Sequence, residues 1–380
     1  MTQAAKTRRT QMQIAETFNS FVGVDLHKCT VSLGALMPGG EFEEVTRNTK
    51  CVGLIERWLQ ALPKPVWMAV EACPFNEWFI DRFRDCVDRI DIADATELAR
   101  LRGKRRKNDP NDGIDIALRL ARGECPLGFI ADEELMQLRK RGRHWRNLSR
   151  LLSRTKHSMK SMLNAANIRG PKFDAAGAQR WILAHGGQLK PVQRQMFGNF
   201  VETLSLVERQ REMLRLDIRM AIRNKRFAPI VERLISVPGI GEIWAAIIAA
   251  EIGPFDRFPN ADTLEFWAGL TADVKESAGR RQSGNITKAG SVTLRWALCQ
   301  AAMTLCMSDT KQEATRQRLI ARIGKPKANV AMGRRLLRIL YAMMRDGTMY
   351  QGGPRRDRTK AANAARRKRK ARKEAIVHVT

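Results

Sequence analysis

No stretch of the chain approaches the ~20 consecutive apolar residues that a bilayer span requires, and residues 1–20 lack the apolar core of a secretory signal. Those absences argue against a membrane protein and lead to the expectation of a cytoplasmic one. Paired cysteine motifs are missing as well. The seven cysteines (Cys29, Cys51, Cys73, Cys86, Cys125, Cys299 and Cys306) are odd in number and scattered, with no CxxC and no histidine at zinc-ligand spacing, so they read as reduced core thiols. The five histidines are equally dispersed, which argues against a His-based metal site and against a Ser-His-Asp triad. Acid is in short supply: 39 Asp and Glu stand against 68 Lys and Arg, a net charge of +29. So large an excess exceeds what solubility needs and points to a nucleic acid, with an anionic membrane surface the weaker choice. The few acids in suggestive places are therefore the ones to examine as ligands.

What is present divides the 380 residues into two or three domains. FVGVDL and TVSLGAL, separated by His27-Lys28-Cys29, predict a hairpin over residues 20–36, and Pro65–Ala72 predicts a third strand. Helical patterns alternate with these strands, an α/β arrangement running to about residue 130. From Glu133 to Lys225 strand signals vanish, and two long apolar-periodic segments predict helices packed as an antiparallel or intermolecular coiled coil. The first of them is strongly basic from Arg139 to Lys160, either a solvated face or one that tracks phosphates. Helices joined by Gly-rich turns follow to about Tyr350, and then a basic low-complexity tail. The expected fold class is α/β plus α, divided into a flexible 1–19, a catalytic domain 20–130, a coiled-coil region 131–228, a mainly helical domain 229–350 and a disordered basic tail 351–380.

Four acids stand at strand ends and a helix start. Asp25 ends the run FVGVD, and Glu71 closes the third strand, so side-by-side pairing of those strands would bring the two carboxylates together. Asp109 and Asp112 lie three residues apart in NDPND at a predicted helix start, which puts them on one face. Four convergent carboxylates can hold two Mg²⁺ ions roughly 4 Å apart, with Mn²⁺ chemically equivalent for such oxygen ligands. Each acid also has a plainer reading: Asp109 as N-cap with Pro110 at N1 and Asp112 at N3, Asp25 capping a turn, Glu71 paired with a neighbouring Arg. Asp115 is a substitute ligand, with Asp91 and Asp94 weaker ones. The run RLRGKRRK, with Lys104, Arg105, Arg106 and Lys107, would set positive charge beside the acids.

In the carboxy-terminal domain, LISVPGIGEIWAAIIAAEIGPF reads as helix, GIG turn, helix. Gly239 and Gly241 would offer backbone N–H groups and a helix N-terminus to a phosphate, or simply make a tight turn. Between the Trp267 and Trp296 helices lies a Gly-, Ser-, Lys- and Arg-rich loop that holds Ser277, Ser283, Arg280, Arg281 and Lys288. A loop serine with no basic partner is a poor nucleophile on chemistry alone.

In this order, VDLHK, a strand-end Glu, NDPND, a long helical region, VPGIG, AAEIG, RFPNADTLEFWAGLT, ESAGRRQSGNITKAG and LRWAL, the chain resembles the DEDD transposases of bacterial insertion sequences, over roughly residues 20–350. The resemblance implies a RuvC-like (ribonuclease-H-like) first domain with Asp25, Glu71, Asp109 and Asp112 as its metal ligands. It also implies Ser277 of ESAG as the nucleophile that forms a covalent phosphoserine link, a structured bridge RNA as guide, and a homo-oligomer, dimer or tetramer, whose subunits share the site. Gly113 departs from the family's usual Ala, and on helix propensity alone it weakens the helix slightly. The leading expectation is a transposase acting on element and target DNA, with Arg280, Arg281 and Lys288 touching strands beside Ser277. Two alternatives stand: a resolvase-like endonuclease that uses water, and a nonenzymatic nucleic-acid-binding protein whose acids only cap and pair.

Overall fold

The apolar runs read from the sequence become the centre of a mixed sheet. A computed structural model describes residues 3–73, 75–102, 112–277, 280–288 and 290–352. They fall into two compact units, residues 1–131 and 132–380. In the first unit the order is α1 (Gln3–Ala15), β1 (Ser20–Leu26), β2 (Thr30–Leu36), β3 (Phe42–Asn48), α2 (Val52–Ala61), β4 (Val66–Glu71), α3 (Asn76–Phe83), β5 (Arg89–Ala93), α4 (Ala95–Arg102), α5 (Asp112–Ala121) and β6 (Leu127–Gly128). The sheet runs β3-β2-β1-β4-β5-β6; β1 is antiparallel to β2 and parallel to β4, and β5 is parallel to β4.

Alternation along the strands builds two cores, because successive side chains leave opposite faces. Val22, Val24 and Val70 join Ile55 and Leu59 of α2 and Phe79 and Phe83 of α3 on one face. Phe21, Trp67 and Ala69 join Leu98 of α4 and Ile116 and Leu120 of α5 on the other. Three layers result. Residues 3–15, expected as a flexible end, form α1, which seats Ala15 in the second core and pairs Arg8 with Glu124 at 2.5 Å.

The second unit comprises α6 (Glu133–Ala165), α7 (Ala175–His185), α8 (Pro191–Ala221), α9 (Ala228–Ile235), α10 (Glu242–Ile252), α11 (Ala261–Trp267), β7 (Ala272–Ser277), β8 (Arg280–Ile286), α12 (Val292–Ser308), α13 (Thr310–Ile323) and α14 (Lys325–Asp346). The long helices α6 and α8 lie antiparallel: Asp132, the N-cap of α6, accepts from Arg226 just beyond α8 at 2.7 Å. The segments expected as separate middle and carboxy-terminal domains pack as one body, joined where Arg143 of α6 grips the buried Glu251 of α10 at 2.8 and 3.1 Å. The segment expected as a loop around Ser277 is an antiparallel ribbon instead, β7 against β8.

Candidate functional site

Register carries Asp25 and Glu71 to one place. In the parallel pair β1/β4 Val24 stands opposite Val70, so the next step along both strands brings Asp25 beside Glu71 at their carboxyl ends. Both belong to the face that carries Phe21, Trp67 and Ala69, the face that α5 covers. The start of α5, with Asp112, is pressed onto the sheet by three glycines. A Cβ on Gly23 would stand 2.0 Å from the Gly113 carbonyl oxygen, one on Gly34 2.4 Å from Ile114 N, and one on Gly113 2.7 Å from Gly34 N. Only glycine at all three lets helix and strand backbones touch. Gly113, expected to weaken the helix a little, is thus what lets Asp112 approach the strand acids.

Arg102, the last residue of α4, holds this group together. Its guanidinium lies 3.2 Å from Glu71 Oε2, 3.5 Å from Asp112 Oδ1 and 3.0 Å from Asp115 Oδ2, with about a fifth of its side chain exposed. Burial lifts the Glu71 carboxyl above its ordinary value; Arg102 opposes this, and the nearby charges of Asp25 and Asp112 add to the rise. Asp115 behaves differently. Burial works to raise it, but hydrogen bonds from Arg119 and Arg102 and their charges together hold it low. The Nε2 of His27 reaches Asp25 at 3.3 Å.

The weaker acidic candidates go elsewhere. Asp91 accepts from Trp67 Nε1 at 2.8 Å and Arg89 Nε at 2.6 Å, and Asp94 caps α4 by accepting from Thr96 N and Glu97 N. Asp109, Lys104, Arg105, Arg106 and Lys107 lie outside the described residues. Among the described residues no three His, Cys, Asp or Glu form a group that could hold a metal ion. In chemistry the carboxylates of Asp25, Glu71 and Asp112 are hard oxygen donors suited to Mg²⁺ or Mn²⁺. In arrangement, Arg102 engages two of the three. Sequence reasoning anticipated positive charge beside the acids from the run that includes Arg102, but not that one guanidinium would bridge them.

In the second unit the GIG turn separates its two glycines. Gly239, at φ +100°, faces inward, where a Cβ would stand 2.7 Å from Thr304 Cβ; Gly241 is exposed at the start of α10, where a Cβ would meet nothing. Ser277 is the last residue of β7, in register with Arg280, the first of β8, and Arg281 stands opposite Glu276; for these residues the backbone alone is described. Lys288 is exposed, at φ +57°, and its N–H donates to Gly269 O at 3.2 Å. The basic face of α6 is divided. Arg139 turns inward to Ala250 O at 2.5 Å and Arg143 to Glu251, while Arg150, Arg154 and Lys160 stand exposed.

Residues 231–318, which include Gly239, Gly241, Ser277, Arg280, Arg281 and Lys288, match the sequence profile of the family described as "Transposase IS116/IS110/IS902 family". Over 181 residues the chain is 28% identical to the "Insertion element IS110 uncharacterized 43.6 kDa protein" of Streptomyces coelicolor, covering 47% of this chain and 43% of that one. The chain thus spans under half the length of that relative. A "Probable family 20 transposase" of Pseudomonas aeruginosa is 22% identical over 307 residues, 79% of this chain and 89% of that one. The "Transposase for insertion sequence element IS1111A" of Coxiella burnetii is 27% identical over 126 residues, 32% of this chain and 35% of that one. The similarities are thus to proteins of IS110/IS116-type insertion sequences, and the family profile itself spans residues 231–318.

Proposed function

We propose that the chain is the transposase of an IS110/IS116-type insertion sequence, which cuts and rejoins DNA with the carboxylates of Asp25, Glu71, Asp109 and Asp112 and the hydroxyl of Ser277. The observation that carries this reading is the β1/β4 register, which sets Asp25 beside Glu71 on the face where α5 brings Asp112. The sheet, with its first acid on the interior strand β1, supports a ribonuclease-H-like (RuvC-like) first domain. A Mg²⁺ or Mn²⁺ ion held by those acids would polarise the phosphoryl group and offset charge that builds on its oxygens. Arg102 balances Glu71 and Asp112 in the structure and would yield them to such an ion.

The chain's own step is a displacement at phosphorus. The Ser277 Oγ bonds to the phosphorus, one bridging P–O bond breaks, the hydroxyl proton leaves, and the departing sugar oxygen gains a proton. In rejoining, a sugar hydroxyl attacks the phosphoserine and the serine is released. Ser277 ends one strand of a ribbon with Arg280 opposite, a position suited to offering a nucleophile beside cations that neutralise phosphate. A structured RNA would choose the sites by base pairing while the protein holds backbones, the division of labour of guided systems. The charge of +29 suits such a load, and a homo-oligomer would let subunits share serine and acids.

A second reading has its own observation. Arg102 satisfies Glu71, Asp112 and Asp115 at once, as acids that merely pair would be satisfied. One experiment separates the readings: recombination between donor and target plasmids, with the element's flanking noncoding RNA co-expressed, for wild type, Asp25→Asn and Ser277→Ala. Loss of at least a hundredfold in both variants, with a covalent protein–DNA adduct only where Ser277 is present, is expected. Loss in Asp25→Asn alone would make the protein a hydrolytic nuclease. Recombination undiminished in both Asp25→Asn and Asp112→Asn would leave only binding.

A further inference from the structure

The second unit contains a cavity of about 500 Å³ between α6, α8, the start of α10 and α12, with neither Ser277 nor any of the candidate acids in its lining. That size falls in the roughly 300–1,000 Å³ range of sites for small ligands. Its walls combine two chemistries. Trp145, Trp244 and Trp296 supply aromatic surface, the last two edge to face with centroids 4.8 Å apart. Lys156, Arg211, Arg215 and Arg219 supply positive charge, and Gly241 opens the N-terminus of α10 onto the same space.

The cations are not equivalent. Arg219 pairs with Glu242, Arg215 with Glu212, and Lys156 with Glu208 at 3.6 Å. Arg211 has no such pairing among the described residues. Its guanidinium stacks over Trp145 at 4.3 Å, and its Nε, shielded from solvent, has no hydrogen-bond partner. Arg211 is thus the cation of this wall left without an ion pair to offset a negative group that enters the cavity. An acceptor that also brings an aromatic plane and negative charge answers all of these features together.

We propose that this cavity takes one unpaired nucleotide of a single nucleic-acid strand, its base against Trp244 and Trp296 and its phosphate towards Arg211 and the start of α10. The volume admits a base with its sugar and phosphate, not a duplex. Stacking on aromatic side chains and a positively charged wall are the two means by which proteins hold unpaired bases without reading their sequence. A helix N-terminus adds oriented N–H groups for the phosphate. The site rests on the nucleic-acid part of the proposed function and lies outside its chemistry. It would anchor an unpaired residue of the guide RNA or of an opened DNA strand.

The test is equilibrium binding of the full chain to labelled short oligo(U) and oligo(dT), and to an abasic strand of the same length, with wild type, Trp244→Ala, Trp244→Phe and Arg211→Gln. Trp244→Ala should weaken binding to the base-bearing strands about tenfold, Trp244→Phe by no more than threefold, and neither should alter binding to the abasic strand. Arg211→Gln should reduce the salt slope by about one. Preference between oligo(U) and oligo(dT) tells which strand the site serves. Unchanged affinity of Trp244→Ala for both base-bearing strands, with a wild-type melting curve, overturns the proposal. So does equal weakening on the abasic strand, or a change in self-association without a change in affinity, which would give the cavity to a second copy. If Trp244→Ala does not fold, an unchanged salt slope in Arg211→Gln overturns it. None of these binding arms involves cleavage, so failure of the cleavage chemistry leaves this result readable.

Discussion

The acid end of the first unit and the Trp-lined cavity of the second concentrate charge by opposite routes. In the first, three carboxylates from β4 and α5 crowd around one cation, Arg102, and burial keeps Glu71 reluctant to ionise. In the second, four cations share a wall, and three of them have a carboxylate close by while Arg211 leans on an aromatic ring. Backbone contact fixes the first group, since glycines let α5 rest on peptide atoms; side chains from four helices make the second. The difference teaches that one strongly basic chain can assemble a negative site where the sheet forces it, and that total charge does not say where either sign gathers.

The sharpest way to break the comparison is at the glycines. Gly23→Ala should destabilise the first unit by about 3 kcal/mol, because the new methyl meets backbone rather than a side chain that could turn aside. Thermal melting of the full chain should show the lower transition; an unchanged melt would mean that α5 does not sit where Gly23 and Gly113 put it. Removing Arg102 sharpens the contrast. Arg102→Ala should cost about 2 kcal/mol, below the full penalty for a deeply buried pair, because these side chains keep about a fifth of their surface in water. Millimolar Mg²⁺ should recover much of that loss, and EDTA should abolish the recovery. If Mg²⁺ and EDTA give the same melting curve, the acids do not hold a divalent ion.

The smallest effect belongs to a control in the second unit. The Arg226 hydrogen bond, opposed by slight burial and aided by the Leu135 N–H, holds Asp132 down to about 2. A carboxyl depressed below its unfolded value adds stability that is fully present above about pH 4 and lost as pH falls towards 2. Half the side chain is exposed, so screening makes this contribution modest. Asp132→Ala should cost about 1 kcal/mol at neutral pH through the lost helix cap, and should flatten the acid-melting profile between pH 4 and 2. A profile unchanged in that window would remove Asp132 from the account.

Much of the first site was readable in advance because its signals are local. FVGVDL, TVSLGAL and VWMAVE are apolar runs, the first and third with an acid at or near the end, and simple pairing of β1 with β4 brings Asp25 to Glu71. The strands that escaped notice lack such a pattern. FEEVTRN of β3 is an almost wholly exposed edge, RIDIA of β5 is short and carries charge, and the ribbon of β7 and β8 reads ADVKES and RRQSGNI, with few apolar residues to alternate. Long-range contacts were illegible for a different reason. Nothing next to Gly113 announces that Gly34 and Gly23 lie beneath it, and Arg139 and Arg150 look alike in sequence although one is drawn into the packing and the other stands in water. The antiparallel packing of α6 and α8 within the chain is carried by contacts as distant in sequence as Arg226–Asp132, which periodicity alone does not announce.

The glycine contact between α5 and the first two strands also bears on how this protein can change over generations. Where two elements are spaced by side chains, each substitution in the layer between them shifts their separation a little, and a site built across that layer drifts as the core does. Here peptide touches peptide at Gly23, Gly34 and Gly113, so the offset between Asp112 and the strand acids is set by atoms common to every residue. The apolar cores on either side are free to exchange Val, Ile and Leu without moving it. Tolerance in the core and intolerance at three small residues are two sides of one design, and a library of random variants sorted for folded protein should recover the first freely and the second almost never.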